Sequence, residues 1–265
     1  MLLKNKNAVV YGGGGAIGGA VARAFAREGA HVFLAGRTDA KLDAVAQDIT
    51  ARGGTAHTAV VDAADEDAVR EHADAVAAKA GSIDIALNAV GIMHVQGTPF
   101  AELTLEDYAH PIAAYTRTHF VTAKAVARHM TAQGSGVILT LSTPGSRLPG
   151  PGYMGFGVAC AAIEAVSRHL AGELGPSGIR VVCLRPDAIP EALTHDSHSR
   201  DVFRPAADRA GLSIEDFLAG AAGGTLLNRL PTLAEVADVA VFMASDRASA
   251  MTGTVANLTC GSLVD

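Results

Sequence analysis

The run Gly12-Gly13-Gly14-Gly15-Ala16-Ile17-Gly18 carries the plainest chemistry in this sequence. It follows a short apolar run ending at Tyr11 and precedes an amphipathic run with Ile17, Val21, Ala24 and Phe25 on one face. Glycines let a backbone turn sharply and approach a phosphate without Cβ clashes. A helix that begins at such a turn aims free N–H groups and the positive end of its dipole at an anion. Placed between a first strand and a first helix, the run predicts a dinucleotide-binding loop lined by Gly12, Gly14, Gly15, Ile17 and Gly18.

Ala35-Gly36-Arg37 closes the second strand-like run. A carboxylate there would bond the 2′-hydroxyl of an adenosine ribose and repel a 2′-phosphate. Gly36 offers none, and Arg37 offers a guanidinium that pairs with phosphate. NADP(H) is therefore the expected dinucleotide, with NAD(H) as the alternative.

Side chains able to move or share a proton lie further along. Tyr153 stands at the start of a long helical run, on the sheet edge where an α/β fold places ligands, and its hydroxyl could bond a substrate oxygen. Without a nearby lysine a phenol at 153 keeps a pKa near the reference of about 10 and donates rather than accepts a proton. Tyr115 is a second phenol, or a bulky residue that fills space. His94, His195 and His198 fall in loops and titrate near neutrality, though each alone is most simply a solvated loop histidine. The His195-x-x-His198 spacing is too short and isolated for a metal, and no metal site is expected. Lys124 lies nine residues after Tyr115, about 900° around a helix, and so on the opposite face.

These residues need a scaffold that gathers loops at one edge. Strand-like runs at 8–11, 31–35, 55–61, 83–87, 137–141, 179–184 and 255–258 alternate with helical runs at 16–28, 40–51, 66–79, 105–130, 154–174 and 233–244. Pro111 is expected to interrupt the start of the fourth helical run. Repeated strand–helix–strand units predict an α/β fold, a doubly wound parallel sheet with helices on both faces, as one domain over 1–265. The irregular stretch at about 188–228, with a short helix near 214–219, is expected to be a substrate loop or lid.

Composition agrees. Of 265 residues, 49% are hydrophobic and 18% charged, which suits a globular core. Lys plus Arg number 21 against 27 Asp plus Glu, a net charge of −6 that gives no electrostatic case for nucleic acid or an anionic membrane. No apolar run approaches the roughly 20 residues of a membrane span. The first residues lack the longer apolar core of a signal peptide, so a cytoplasmic location is expected. Cys160, Cys183 and Cys260 show no C-x-x-C spacing, which argues against a disulfide framework or structural zinc.

Over nearly its whole length the chain resembles the short-chain dehydrogenase/reductase family. That family's loop is T-G-x-x-x-G-x-G; here Gly12 and Gly18 are kept, with Tyr11 for the threonine and Ala16 for the middle glycine. Asn88-Ala89-Val90-Gly91 stands where the family has N-N-A-G, and Pro186-Asp187 where it has P-G. The C-terminal segment 234–265 is similar throughout. The resemblance implies a Rossmann-type sheet and a nicotinamide dinucleotide flanked by Asp62, Ala63, Asn88, Ala89, Gly91, Pro186 and Ile189. It also implies a small-molecule substrate or ligand, and a homodimer or homotetramer formed through the helices at 105–130 and 154–174.

The family's catalytic side chains are Asn, Ser, Tyr and Lys. Aligning the helix end SRHLAGEL puts Phe156 at the tyrosine, Cys160 at the lysine and Thr143 at the serine, and THFVTAKAVARHM puts Tyr115 at the asparagine. Phe156 has no proton to give, and a thiol of reference pKa about 8.5 supplies no fixed positive charge. Tyr153 has the tyrosine spacing of the superfamily's divergent enoyl-acyl-carrier-protein reductases, whose lysine Cys160 again lacks. The expectation is a divergent NADP(H)-dependent oxidoreductase with Thr143 and Tyr153 as its hydroxyls. The alternatives are a catalytically silent dinucleotide- or ligand-binding relative, or a non-redox enzyme such as a cyclase or isomerase reusing the pocket.

Overall fold

The five residues of β1 (Asn7–Tyr11) are all buried, as a strand covered on both faces must be. The computed structural model describes residues 1–194 and 198–264. After β1 come α1 (Ala16–Arg27), β2 (His31–Gly36), α2 (Asp39–Ala51), β3 (Thr55–Val60), α3 (Glu66–Ala80) and β4 (Ile85–Asn88). The second half adds α4 (Leu105–Gln133), β5 (Gly136–Leu141), α5 (Met154–Leu174) and β6 (Ile179–Pro186). Two helices, α6 (Ser199–Ala210) and α7 (Ile214–Gly223), then precede α8 (Leu233–Ala244) and β7 (Thr254–Leu258).

The strands form one sheet in the order β3-β2-β1-β4-β5-β6-β7, every neighbouring pair parallel. This is the expected doubly wound, Rossmann-type sheet. Successive residues of a strand point to opposite faces. Val10, Leu34, Leu87 and Leu139 pack toward Phe25 of α1 and Val241 of α8. Val9, Phe33, Ala86 and Ile138 pack toward Val69 of α3 and Val126 of α4. The chain leaves β1 toward β2 on one side and returns to β4 on the other, so a crevice opens where the ends of β1 and β4 part.

Local signals set the helix ends. Asp65 caps α3 by accepting from Ala68 N, and Gly81 closes it at φ 83°. Thr232 and Glu235 form a reciprocal capping box on α8. Two expectations are corrected. Pro111 does not interrupt α4, which runs on from Leu105 with Pro111 buried inside it. Beside that turn Gly155 of α5 lies so close that a Cβ there would stand 2.8 Å from the Tyr108 carbonyl oxygen, so tertiary packing overrides the proline. The stretch at about 188–228 holds, besides the helix near 214, a second one, α6, with Pro205 inside it. Among the described residues no helix is long and apolar enough to cross a membrane.

Candidate functional site

The glycine loop sits at the crevice and is packed on the turn after β4. Gly12 has φ 77°, and a Cβ on it would stand 2.5 Å from Ala89 O. A Cβ on Gly18 would overlap Gly12 O. Gly12 N and Gly13 N donate to Ala35 O at 2.8 and 3.1 Å, and Ala89 N donates to Tyr11 O at 2.9 Å. Gly15 caps α1 without a side-chain bond, and the first turn holds no acid, so no side chain of that turn competes for its N–H groups. Gly14 backs onto Lys41 of α2, whose Cβ lies 2.9 Å from where a Gly14 Cβ would stand.

The other residues expected at the dinucleotide lie at the ends of β2, β3, β4 and β6 or just beyond them. Arg37 is exposed just beyond β2 and makes no hydrogen bond or ion pair among the described residues. Asp62 is exposed and accepts from Ala64 N at 2.9 Å, while Ala63 is buried beneath it. Asn88 is buried; it donates to Thr122 Oγ1 at 3.1 Å and accepts from Val90 N at 3.0 Å, tying the turn after β4 to α4. Pro186 ends β6 opposite Leu258. Ile189 is buried with Leu233 and Val236 against Ile17 and holds the start of α1 in place. A loop that only glycine fits, leading to an uncapped helix start, suits the diphosphate of a nicotinamide dinucleotide.

Thr143, Phe156 and Cys160, which the alignment sets at the family's serine, tyrosine and lysine, lie close together. Thr143 Oγ1 is 3.3 Å from Cys160 Sγ. Cys160 is 1% exposed, and burial pushes its thiol up to about 12, so it is neutral. The Phe156 ring stacks on His94, with centroids 4.1 Å apart and planes 13° apart. Tyr115 completes the group, its ring 6.0 Å from Phe156 and 6.1 Å from His94. The Tyr115 hydroxyl accepts from Ile92 N at 3.3 Å and donates to Ile92 O at 3.4 Å, and burial raises its pKa.

His94 is therefore in the site, yet it is no free acid or base. Its Nδ1 lies 2.7 Å from Ile92 O and its Nε2 2.8 Å from Gln96 Nε2, which assigns the proton to Nδ1. Burial pulls its pKa down to about 4. Tyr153 stands at the start of α5, with its ring against Gly150. Burial, and then the charge of Asp187, raise its pKa, so the phenol stays protonated. Its hydroxyl has no hydrogen-bond partner among the described residues.

Sequence reasoning missed a buried ion pair behind these groups. Glu164 Oε1 accepts from Ser142 Oγ at 2.9 Å, Ser146 Oγ at 2.5 Å and Arg185 Nε at 2.8 Å. Both charged side chains are buried. The network joins the turn after β5, α5 and β6, and holds the segment carrying Thr143. Glu164 falls one helical turn after Cys160, the one hint the sequence offered. Lys124 pairs with Glu66 at 2.7 Å, away from the site as its spacing predicts. His195 lies outside the described residues. No group of three or more potential metal ligands occurs among them.

Comparison with known proteins gives a consistent set of relatives. Residues 14–262 match the family profile described as Enoyl-(Acyl carrier protein) reductase. An uncharacterised oxidoreductase of Mycobacterium tuberculosis (strain CDC 1551 / Oshkosh) is 32% identical over 252 residues, 95% of this chain and 89% of that protein. Gluconate 5-dehydrogenase of Gluconobacter oxydans is 30% identical over 253 residues, 96% of this chain and 93% of that one. The solved structure of NAD+-bound xylitol dehydrogenase aligns with a TM-score of 0.90, covering 98% of this chain and 100% of that one. At 24% identity this is a likeness of fold.

Proposed function

The chain belongs to the short-chain dehydrogenase/reductase family of oxidoreductases, and on that premise we propose that it is an NADP(H)-dependent oxidoreductase working without a tyrosine–lysine pair. One contrast supports this reading above others. The phosphate cradle at Gly12 to Gly18 is kept, while the proton-donor position holds Phe156, stacked on His94 at 4.1 Å. A bound nicotinamide dinucleotide supplies hydride transfer; the protein has to hold it and manage charge on the substrate.

In this reading the glycine loop and the start of α1 hold the diphosphate, Arg37 pairs with the 2′-phosphate, and Asp62 lies beside the adenine. Thr143 and Tyr153 donate hydrogen bonds to the substrate oxygen as it gains negative charge. The Tyr153 phenol is protonated and without a partner among the described residues, so it is the side chain best suited to donate. Glu164 and Arg185 keep Thr143 in position. The segment at about 188–228 closes over the substrate as a lid on a single domain. The active form is a homodimer or homotetramer in the cytoplasm.

A second reading rests on the same ring stack. His94, Phe156 and Tyr115 fill the space of a catalytic tyrosine, which suits a silent relative that binds a dinucleotide or another ligand. A panel of ketones and aldehydes assayed with NADPH separates the two. The oxidoreductase reading expects turnover well below the enzyme median of about 10 s⁻¹, and lower still in Tyr153→Phe. No turnover of any member of the panel favours the silent relative. A rate typical of enzymes, unchanged in Tyr153→Phe and Thr143→Val, contradicts the proposed chemistry.

A further inference from the structure

A chain of hydrogen bonds that starts at a backbone carbonyl leaves one buried acceptor with nothing to accept. Ile92 O can only accept, and His94 Nδ1 stands 2.7 Å from it, so the ring proton is on Nδ1. Burial keeps the ring neutral, so Nε2 carries a lone pair and no proton. Gln96 Nε2, 2.8 Å away, is then the donor to it. That fixes the amide, whose other end, Gln96 Oε1, is buried and has no hydrogen-bond partner among the described residues. Turning the amide over would set Oε1 against the Nε2 lone pair and relieves nothing. Gln96 is 2% exposed, and a buried carbonyl oxygen without a donor is costly to keep.

The amide is one hydrogen bond from His94, whose ring covers Phe156 at the family's tyrosine position. Gln96 also precedes Gly97, and Gly97 N donates to Gly152 O at 2.9 Å. The two segments are in backbone contact there, because a Cβ on Gly152 would stand 2.5 Å from Gly97 Cα. Tyr153, next in the chain at the start of α5, carries the phenol that has no partner among the described residues. An unpaired acceptor and an unpaired donor thus belong to residues on either side of one backbone bridge.

We propose that Gln96 is a specificity-determining residue whose Oε1 accepts a hydrogen bond from a hydroxyl of the substrate, so that the substrate is a hydroxy-ketone or hydroxy-aldehyde. The inference rests on the oxidoreductase reading above and names the substrate class for the same site. Tyr153 and Thr143 donate to the carbonyl oxygen, and Gln96 receives the neighbouring hydroxyl. The two ends of the substrate cannot be exchanged, because a carbonyl oxygen has no proton to offer Gln96. A ketone without the hydroxyl leaves the Gln96 oxygen buried and unpaired, and a carboxylate in its place would meet that oxygen lone pair to lone pair.

Hydroxyacetone, butanone and methoxyacetone test this. The first two differ by a hydroxyl in place of a methyl group of similar size, and the third keeps the oxygen but lacks its proton. Ligand-detected NMR on the full chain with NADP+ bound reads a Kd for each, whether or not the ketone is turned over with NADPH. Hydroxyacetone is expected to bind about tenfold more tightly than either of the others, the gain of one hydrogen bond to an otherwise unpaired acceptor. In Gln96→Leu, checked for folding by far-ultraviolet circular dichroism, that preference should disappear. Equal binding of the three by the unaltered chain overturns the proposal, and so does a preference that survives in Gln96→Leu. Binding of none of them by a chain that binds NADPH overturns it too, while leaving the dinucleotide site intact. No NADPH binding by the unaltered chain overturns both.

Discussion

Phe156 lies flat on His94, ring on ring at 4.1 Å, and both nitrogens of the imidazole are engaged, one with Ile92 O and the other with Gln96. The position from which a phenol would protonate an alkoxide is thus an apolar face. Restoring the phenol with Phe156→Tyr and a cation with Cys160→Lys should raise carbonyl reduction with NADPH by about 10²-fold or more, the usual contribution of a positioned acid. Steady-state kinetics of the double variant checks this. Either single change should give less, because a phenol without a cation keeps its high pKa.

The buried histidines predict an acid-sensitive fold. His94 and His119 are held neutral, with pKa values near 4 set by burial. The unfolded chain binds protons on both below about pH 6.5, while the folded chain does not until about pH 4. Stability is therefore full above pH 6.5 and is lost as the pH falls from 6.5 toward 4. The loss at pH 5 should be about 2 kcal/mol per histidine. Urea unfolding at pH 8 and pH 5 measures it, and His119→Leu should reduce the difference by about 2 kcal/mol.

The order of strands and helices was legible because each strand is a short apolar run and each helix an amphipathic one, signals that need no distant partner. The first half of the irregular stretch was not. Val202 and Ala207 are the buried residues of α6, and Pro205 interrupts its pattern; the helix owes its place to packing on Gly97. The same division runs through the site. The glycine loop and Arg37 are local in sequence and were found there. The His94–Phe156 stack, the Glu164–Arg185 pair and the approach of His198 to Gly91 join residues far apart in the chain, and only the fold brings them together.

Removing one partner of the buried pair should be costly. Glu164→Ala leaves the Arg185 guanidinium buried without that carboxylate and frees the hydroxyls of Ser142 and Ser146. A loss of about 3–5 kcal/mol in unfolding free energy is expected. Denaturant titration measures it, and Glu164→Gln, which keeps the shape and one acceptor, should lose less.

The two hydroxyls at the site should separate chemistry from binding. Tyr153→Phe should lower kcat about tenfold or more with NADPH affinity unchanged, since in the proposed reading the phenol bonds the substrate oxygen and not the dinucleotide. Thr143→Val should act in the same direction, with a smaller effect since its hydroxyl is shared with Cys160. Single-turnover kinetics with calorimetry on each variant checks both halves.

A titration of the unaltered chain and of Arg37→Ala with NADPH and with NADH tests the central claim most directly. A retained cradle with Arg37 on the 2′-phosphate predicts that the unaltered chain binds NADPH more tightly than NADH. It also predicts that Arg37→Ala weakens NADPH by about 1.5–3 kcal/mol and leaves NADH unchanged. Equal affinities before and after the substitution, or no binding of either dinucleotide, would contradict it.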